Sequence, residues 1–309
     1  MVINISDVWE NACTQHYDYL NSLIDRGIGS LGNSFLDVVI KDFIQTNRSV
    51  IVEGAPSDLA GCILDYEKRF GRDILHFCVL QKLTKIFDYA SFSAKSDKSW
   101  TAYELCELAK YNICCYCHMV STETSLPDKH SKGYRPPIDH YYTKSDYPFL
   151  ALTLSNFIPC CEKCNGSQMK HSIDFAKVPH LNPLVDIESI EFELRPAEVD
   201  EELVALALSL QLRPENYLLS VDAKHNFSLS NMSISTFQLK NRYKHYASQA
   251  FYLARKIKSF VARKSTYASE LEFNIELADL LEFEPEEYKN IQYGKARLCI
   301  AKQYGAIVD

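Results

Sequence analysis

Four cysteines in two Cys-x-x-Cys pairs are the residues of this chain best suited to hold a metal ion. The pairs are Cys114–Cys117 and Cys161–Cys164, with 43 residues between them. Each tight turn offers two thiolates, and two such turns complete the tetrahedral set of four sulfurs that holds structural zinc in proteins. The wide spacing predicts that a folded substructure lies between the two pairs, and that the zinc stabilises this substructure instead of reacting.

Two alternatives to this ligand set follow from the neighbouring residues. Cys115 and Cys160 lie beside the ligands, so a register shift could put Cys160 in place of Cys161; the x-x spacing to Cys164 favours Cys161. The four cysteines could also be buried apolar residues without a metal. Because both pairs have the spacing that zinc requires, we expect a zinc site.

The segment between the pairs carries a carboxylate beside a histidine, at Asp139 and His140, and Asn165 follows the last cysteine. Hydrolysis of a phosphodiester requires that a water molecule lose a proton, and a neutral imidazole can accept it. A divalent cation such as Mg²⁺ or Mn²⁺, held by few protein oxygens, stabilises the charge on the phosphoryl group. One carboxylate and one carboxamide can supply the protein ligands in the coordination shell of such a cation. These residue types predict metal-dependent cleavage of phosphodiesters.

The same stretch resembles the HNH endonucleases that contain a structural zinc, which have the ββα-metal fold. The resemblance covers about residues 100–186 and depends on Cys114–Cys117 and on the segment from Ile138 to Asn165. It is specific because many fixed offsets agree at once. The resemblance implies that His140 is the general base, that Asn156 orients the base or the hairpin, and that Asn165 holds the catalytic divalent ion together with Asp139.

Lysines and histidines near this segment are further candidates for the site. The resemblance implies a basic residue near the scissile phosphate, for which Lys144 and Lys170 are candidates, although Lys170 is further from Asn165 than the usual family offset. Four other histidines are not expected to be ligands: His118, His130, His171 and His180.

Composition limits the classes of protein that fit. The 309 residues carry 47% hydrophobic residues and a net charge of −7, so a sizeable core is expected and a basic field over the whole molecule is absent. No apolar run is long enough to cross a membrane, the N-terminus does not resemble a secretory signal, and eleven cysteines indicate a reducing compartment. We therefore expect a cytoplasmic protein without membrane contact.

Charge is distributed unevenly along the C-terminal part. Eight acids and one arginine lie between Leu184 and Leu203, whereas the segment from Ala223 to Ser269 contains nine lysines and arginines and no acid. Charged faces of amphipathic helices are commonly just solvated. Because a run of this length contains no acid, contact between these residues and nucleic-acid phosphates is an equally supported alternative.

The pattern of apolar residues predicts an α+β fold that is mostly α-helical. We expect an N-terminal helical region at 1–99, a small ββα-metal core with its Cys₄ zinc site at 100–186, and a C-terminal helical region at 187–309. Within these, helices are expected at Phe35–Ile44 and Asp65–Phe87, a loop at Ser91–Ser99, strands at Ile138–Tyr142 and Leu150–Ile158, and a helix opening at Cys161–Ile173. The glycine-rich turn Gly27–Gly32 follows a helix instead of a strand, so it is interpreted as a helix end and not as a nucleotide-binding loop.

The hypothesis with the most support is a metal-dependent HNH endonuclease acting on nucleic acid, with DNA favoured over RNA. Proteins of this pattern resemble components of bacterial anti-phage and mobile-element systems, often beside an ATPase partner; the first of these, as an effector nuclease, is the role favoured. A homodimer would be one way for a single site per chain to make double-strand breaks. Two alternatives remain: a zinc-stabilised nucleic-acid-binding or adaptor module without catalysis, and an RNase that uses the same site.

Overall fold

The computed structural model describes residues 1–71, 74–95, 99–171, 173–197 and 204–307. The chain divides into two compact units. The first unit comprises Asn4–Asn112 and Thr122–Asp186. The second unit comprises Met1–Ile3, Ile113–Ser121 and Ile187–Asp309.

The first unit consists of a helical region followed by a short hairpin and one more short helix. The helices are α1 (Cys13–Ser30), α2 (Phe35–Thr46), α3 (Arg48–Glu53), α4 (Leu59–Phe70), α5 (Ile74–Ile86), α6 (Tyr89–Ser93) and α7 (Ala102–Glu107). The hairpin is formed by β1 (Ile138–His140) and β2 (Phe157–Pro159), and α8 (Glu162–Asn165) follows it. The antiparallel register pairs Asp139 with Ile158 and His140 with Phe157.

Side chains of the helical region hold the connection between β1 and β2 by its backbone. The Trp9 indole N–H donates to the carbonyl of Phe157 at 3.0 Å, and His16 Nε2 donates to the carbonyl of Leu152 at 2.7 Å. In the reverse direction, the Thr153 hydroxyl donates to the carbonyl of Ile51 in α3 at 2.8 Å. These buried hydrogen bonds fix a segment that has little regular structure of its own, and so they position the hairpin.

Aromatic packing anchors the same connection from another side. The ring of Phe149 lies 5.1 Å from that of Phe43 in α2 and 4.7 Å from that of Tyr66 in α4, measured between centroids. Such pairs add stabilisation beyond the apolar area they bury. The helical region therefore forms one core with the hairpin connection.

Several expected elements of the first unit are shorter than the sequence patterns indicated. The helix expected at Asp65–Phe87 is two helices, because Gly71 adopts a φ of +58° that ends α4. The strand expected at Leu150–Ile158 is wrong over most of its length: single 3₁₀ turns occupy Pro148–Leu150 and Leu154–Asn156, and only the last residues join β2.

Two further expectations need correction. The helix expected to open at Cys161 ends at Asn165, after one turn. The expected loop at Ser91–Ser99 begins inside α6; its residues 96–98 lie outside the part of the chain that the structure describes. The segment Gly27–Gly32 does contain the end of α1, at Ser30, but its first four residues are helical and do not form a turn after the helix.

The second unit combines a two-stranded antiparallel sheet with helices. The strands are β3 (Ile190–Pro196) and β4 (Tyr217–Ala223). The helices are α9 (Val204–Leu208), α10 (Phe227–Thr236), α11 (Leu239–Tyr243), α12 (Ala247–Val261), α13 (Glu270–Leu281) and α14 (Gly294–Gln303). The sheet was not expected in a region predicted to be helical, although Ile190, Phe192 and Leu194 alternate with polar residues and are buried.

The fold class predicted from sequence, α+β with mostly helices, is confirmed. The division at residues 99 and 186 stays a prediction. Among the described residues, no helix has the length and apolar character needed to cross a membrane.

His16 makes the stability of the first unit depend on pH. Its Nε2 donates to Leu152, and its Nδ1 accepts from the Trp100 indole at 3.2 Å, so both ring nitrogens are used by the neutral form. Burial lowers the pKa of His16 from 6.5 to about 4. Between these values the unfolded chain binds a proton that the folded chain does not. The contribution of His16, about 3 kcal/mol, is therefore complete above pH 6.5 and lost as the pH falls towards 4.

Chemical denaturation between pH 7.5 and 4 measures this effect. The slope of the unfolding free energy against pH gives the number of protons that the chain takes up on unfolding. In H16Q this number should be smaller by up to one. His130, which is exposed, supplies the control: H130Q should keep the wild-type pH dependence. An H16Q curve parallel to that of the wild type would contradict the assignment.

Candidate functional site

Asn156 holds the β1–β2 connection closed. Its Oδ1 accepts from the backbone N–H of Tyr142 at 2.7 Å, and its Nδ2 donates to the carbonyls of Tyr142 and Leu150, each at 3.0 Å. The side chain is fully buried. Its amide thus bonds backbone atoms at both ends of the β1–β2 connection, two of them at Tyr142 and one at Leu150, which fixes the chain just beyond His140.

The imidazole of His140 is buried and held in one orientation. Its Nε2 lies 3.0 Å from the carbonyl oxygen of Ala151, and since a carbonyl only accepts, Nε2 carries the proton in the neutral ring. The rings of Tyr89 and Phe157 contact it edge-on, with centroids at 4.6 and 5.2 Å. Nδ1 is therefore the basic nitrogen of the neutral ring.

The electrostatic surroundings keep His140 neutral. Burial, and to a smaller extent the charge of Lys144, lowers the pKa of His140 from 6.5 to about 3. A neutral imidazole at pH 7 is the form that can accept a proton. The Lys144 ammonium lies 5.2 Å from the centroid of the Tyr89 ring, and burial lowers its pKa.

Asp139 is paired with Lys170 inside the first unit. The Lys170 ammonium lies 2.8 Å from Asp139 Oδ1 and donates to the carbonyl of His140, also at 2.8 Å. It stands 4.6 Å from the centroid of the Phe175 ring, and both side chains of the ion pair are at most 5% exposed. The family offset argued against a place for Lys170 at the site, whereas the structure places it on the carboxylate.

Three of the four residues predicted to be catalytic line one cavity of about 700 Å³. They are Asp139 and His140 from β1 and Asn165 from the end of α8. Asn156 does not line the cavity and lies in the hairpin that carries His140. Other polar residues of the lining are Thr84, Asp88, Tyr89, Thr143, Lys144, Ser145, Asp146, Lys170 and His171.

His171 also lines this cavity, although it was not expected to be a ligand. It is exposed, and its backbone adopts a φ of +40°, which is uncommon for a residue other than glycine. Its position directly after Lys170 is the one signal that could have drawn attention to it. Of the other histidines set aside, His118 belongs to the second unit, and the ring of His180 stacks on Phe175.

The oxygens at the cavity suit a hard divalent cation. Asp139 offers a carboxylate and Asn165 a side-chain carbonyl, which are the ligand types that Mg²⁺ and Mn²⁺ prefer. Asp139 Oδ1 is already bonded to Lys170, so an incoming cation would compete for that carboxylate or use its second oxygen. The residues fit a weakly held ion that keeps most of its waters, and not a closed protein cage.

The four predicted zinc ligands come together. The sulfurs of Cys114, Cys117, Cys161 and Cys164 are all buried and lie within 4.8 Å of one another. Four thiols at this separation fit one tetrahedral zinc, which would hold them as thiolates. The cluster excludes the register shift to Cys160, whose sulfur is instead 4.0 Å from the carbonyl of Pro137.

The buried ion pair between Lys170 and Asp139 gives a testable effect on stability. Replacing Lys170 by methionine keeps the length of the side chain but leaves Asp139 as an uncompensated buried charge. We expect the free energy of unfolding to fall by about 3–5 kcal/mol.

Lys177 provides the matched control for that measurement. Its ammonium pairs with Asp146 at 3.2 Å and Asp174 at 3.0 Å, but the side chain is 50% exposed. Water reaches the half-exposed Lys177 and Asp146, although Asp174 is only 8% exposed, so K177M should cost clearly less than K170M in urea denaturation. Equal losses in K170M and K177M would show that the pair at Asp139 is not a buried charge pair.

Comparison with known proteins gives one partial similarity. The chain is 37% identical over 78 residues to a curated protein of Bacillus thuringiensis, the Septu protein PtuB. The matched segment is 25% of this chain and 26% of that protein, so the chain spans about a quarter of the length of this relative. No family model matches the chain, and no solved structure matches it.

Proposed function

We propose that this protein is a metal-dependent HNH endonuclease that hydrolyses phosphodiester bonds in DNA. Its catalytic part would be a ββα-metal core formed by β1, β2 and α8. The observation that carries the proposal is the placement of Asp139, His140 and Asn165 around one cavity, with the histidine held neutral. A non-catalytic module has no physical need for this combination.

In the proposed mechanism, His140 removes the proton from the attacking water. Its Nε2–H is committed to the carbonyl of Ala151, so Nδ1 would accept this proton. Asn156 supports the base indirectly, because it fixes the backbone at Tyr142, two residues beyond His140. Lys144 lines the cavity and can approach the charged phosphoryl oxygens.

Asp139 and Asn165 would hold the catalytic divalent ion, either Mg²⁺ or Mn²⁺. Such an ion, when bound, supplies electrostatic stabilisation of the phosphoryl group and the leaving oxygen. Lys170 would keep the carboxylate of Asp139 in place between turnovers, since it also bonds the carbonyl of His140. The Cys₄ cluster would hold a separate zinc with a structural role.

We also propose that the nuclease acts in bacterial anti-phage defence. The partial similarity to the Septu protein PtuB supports this role. An ATPase partner is part of the proposal only through the resemblance to such effectors, and a homodimer only as one way for a single site per chain to cut both strands. Reduced plaque formation that depends on His140 would test the biological role in cells.

Cleavage of defined substrates tests the biochemical activity. Purified protein with Mg²⁺ or Mn²⁺ is expected to convert supercoiled plasmid into nicked circles, while H140Q should leave it intact. Linear duplex, single-stranded DNA and transfer RNA complete the substrate set. Degradation of RNA without DNA cleavage would move the substrate to RNA, and inactivity on all four under varied metal conditions would contradict the nuclease proposal.

A further inference from the structure

Helix α12 presents a polar and basic outer face in the second unit. Arg255 and Lys256 are adjacent, and each lies three or four residues from both Tyr252 and Ser259, which places the four on one side of a helix. Arg263, just beyond the helix, donates from Nε to the carbonyl of Ser259 at 3.4 Å and extends the same side. These five residues are exposed and are called the basic face below.

The opposite side of α12 accounts for this exposure. Ala250, Leu253, Ala254, Ile257 and Phe260 are buried where the helix packs against β4 and α14. The helix is amphipathic in the ordinary sense, so its packing requires only that the outer side be polar. Packing alone does not require that every charge on that side be positive.

The basic face has no acidic partners in the described part of the chain. None of Arg255, Lys256 and Arg263 forms an ion pair there. Other basic residues of the same unit do: Lys224 pairs with Glu191 at 2.9 Å, and Lys295 with Glu188 at 2.6 Å.

Acids that follow α12 in the chain are engaged elsewhere. Glu272 accepts from the backbone N–H of Ala268, and Glu276 accepts from the Tyr267 hydroxyl. Among the second unit's described residues, no acid therefore forms an ion pair with the basic face, in a chain whose net charge is −7. Such a local concentration of charge attracts a polyanion even when the whole protein is acidic.

The side-chain types on the basic face match those that contact nucleic acid. Arginine and lysine, with serine and tyrosine hydroxyls, are the usual donors to phosphate oxygens. Tyr252 is 52% exposed, so its ring is also accessible for stacking on an unpaired base. An acidic protein surface would use the charges but would have no comparable use for this ring.

We propose that the basic face binds the phosphate backbone of nucleic acid and adds affinity for the substrate of the nuclease. The substrate assignment depends on the proposed function, whereas the binding itself does not. Because the contacts are to phosphates, binding should be independent of sequence and strongly dependent on salt. Stacking on Tyr252 should favour single strands over duplexes.

The experiment measures binding of fluorescent DNA by anisotropy over a range of salt concentrations. Full-length protein with the H140Q substitution and bound zinc is used without added Mg²⁺ or Mn²⁺, so that no cleavage interferes. The triple variant R255A/K256A/R263A is expected to lower the slope of log K against log salt by about 2–3. The slope should fall for single strands and duplexes alike.

A matched control removes the same charge elsewhere. Lys68, Lys129 and Lys132 are exposed residues of the first unit, and K68A/K129A/K132A should keep the parental salt slope. The Y252A variant should weaken single-strand binding at least about fivefold more than duplex binding, and Y252F should retain it. All substituted residues are exposed, and thermal unfolding checks that the variants fold.

The outcomes separate this inference from the nuclease proposal. An unchanged salt slope in the triple variant overturns the inference. The inference is also overturned if the parental protein binds a polyglutamate peptide and its binding of nucleic acid is unaffected by that peptide. Loss of binding in that variant, with no cleavage by the wild type on any substrate, supports the basic face and contradicts the nuclease. If the wild type cleaves DNA but binds it no more tightly than the triple variant does, the result supports the nuclease and contradicts the basic face.

Discussion

Replacing Cys161 by serine is expected to abolish zinc binding and, with it, cooperative folding. The four thiols lie within 4.8 Å of one another, so each is needed to complete a tetrahedral site. Structural zinc supplies about 10–16 kcal/mol of apparent folding free energy. Because a whole domain is stable by only about 5–15 kcal/mol, the chain has no reserve that could absorb this loss.

Elemental analysis and thermal unfolding measure the two parts of this effect. Purified wild type should contain one zinc per chain and unfold in a cooperative transition. The C161S protein should lack zinc. It should either unfold without a cooperative transition or be recovered only in the insoluble fraction. Removal of zinc from the wild type by a strong chelator should reproduce the C161S behaviour.

Cys160 is a closely matched control because it is the neighbouring buried cysteine. Its sulfur is 4.0 Å from the carbonyl of Pro137 and does not belong to the cluster. The C160S protein should therefore keep its zinc and lose only the small stability that a new buried hydroxyl costs. Loss of zinc in C160S together with its retention in C161S would show that Cys160, and not Cys161, is the zinc ligand.

The zinc ligands and the fold class could be predicted because their signals are local. A Cys-x-x-Cys turn brings two sulfurs together by itself, and helical periodicity appears within single segments. The strand β3 also has a local signal, the alternation of Ile190, Phe192 and Leu194, although the region 187–309 was expected to be helical.

The surroundings of the candidate site could not be predicted from local patterns. Lys170 reaches Asp139 across 31 residues, after a helix that ends at Asn165 and an irregular segment whose path no periodicity reveals. The hydrogen bonds from Trp9 and His16 to the hairpin join residues more than 130 positions apart. Such contacts depend on the tertiary packing of the whole first unit, and the sequence shows only that the donors exist.

The H140Q substitution is expected to lower the rate of DNA cleavage by about 10²–10⁴-fold, the usual contribution of a general base. Glutamine can keep the existing hydrogen bond, because its amide N–H can donate to the carbonyl of Ala151 as Nε2 of His140 does. It cannot accept a proton from water at neutral pH. The substitution thus removes the base while it preserves the local packing, which alanine would not do at this buried position.

His171 is the matched control, since it lines the same cavity. H171Q should cleave within a few-fold of the wild-type rate if His140 is the base. A large loss in H171Q with normal cleavage by H140Q would transfer that role to His171. Thermal unfolding of both variants distinguishes a lost base from a lost fold.

The pH dependence of cleavage provides an independent measurement on the wild type. Burial lowers the pKa of His140 to about 3, so the ring stays neutral as the pH falls through 6.5, where an exposed histidine would become protonated. Under single-turnover conditions with saturating Mn²⁺, the rate should therefore show no decrease from pH 8 to 5 that originates from this residue. An acid limb that disappears in H171Q would indicate that His171, and not His140, removes the proton from water.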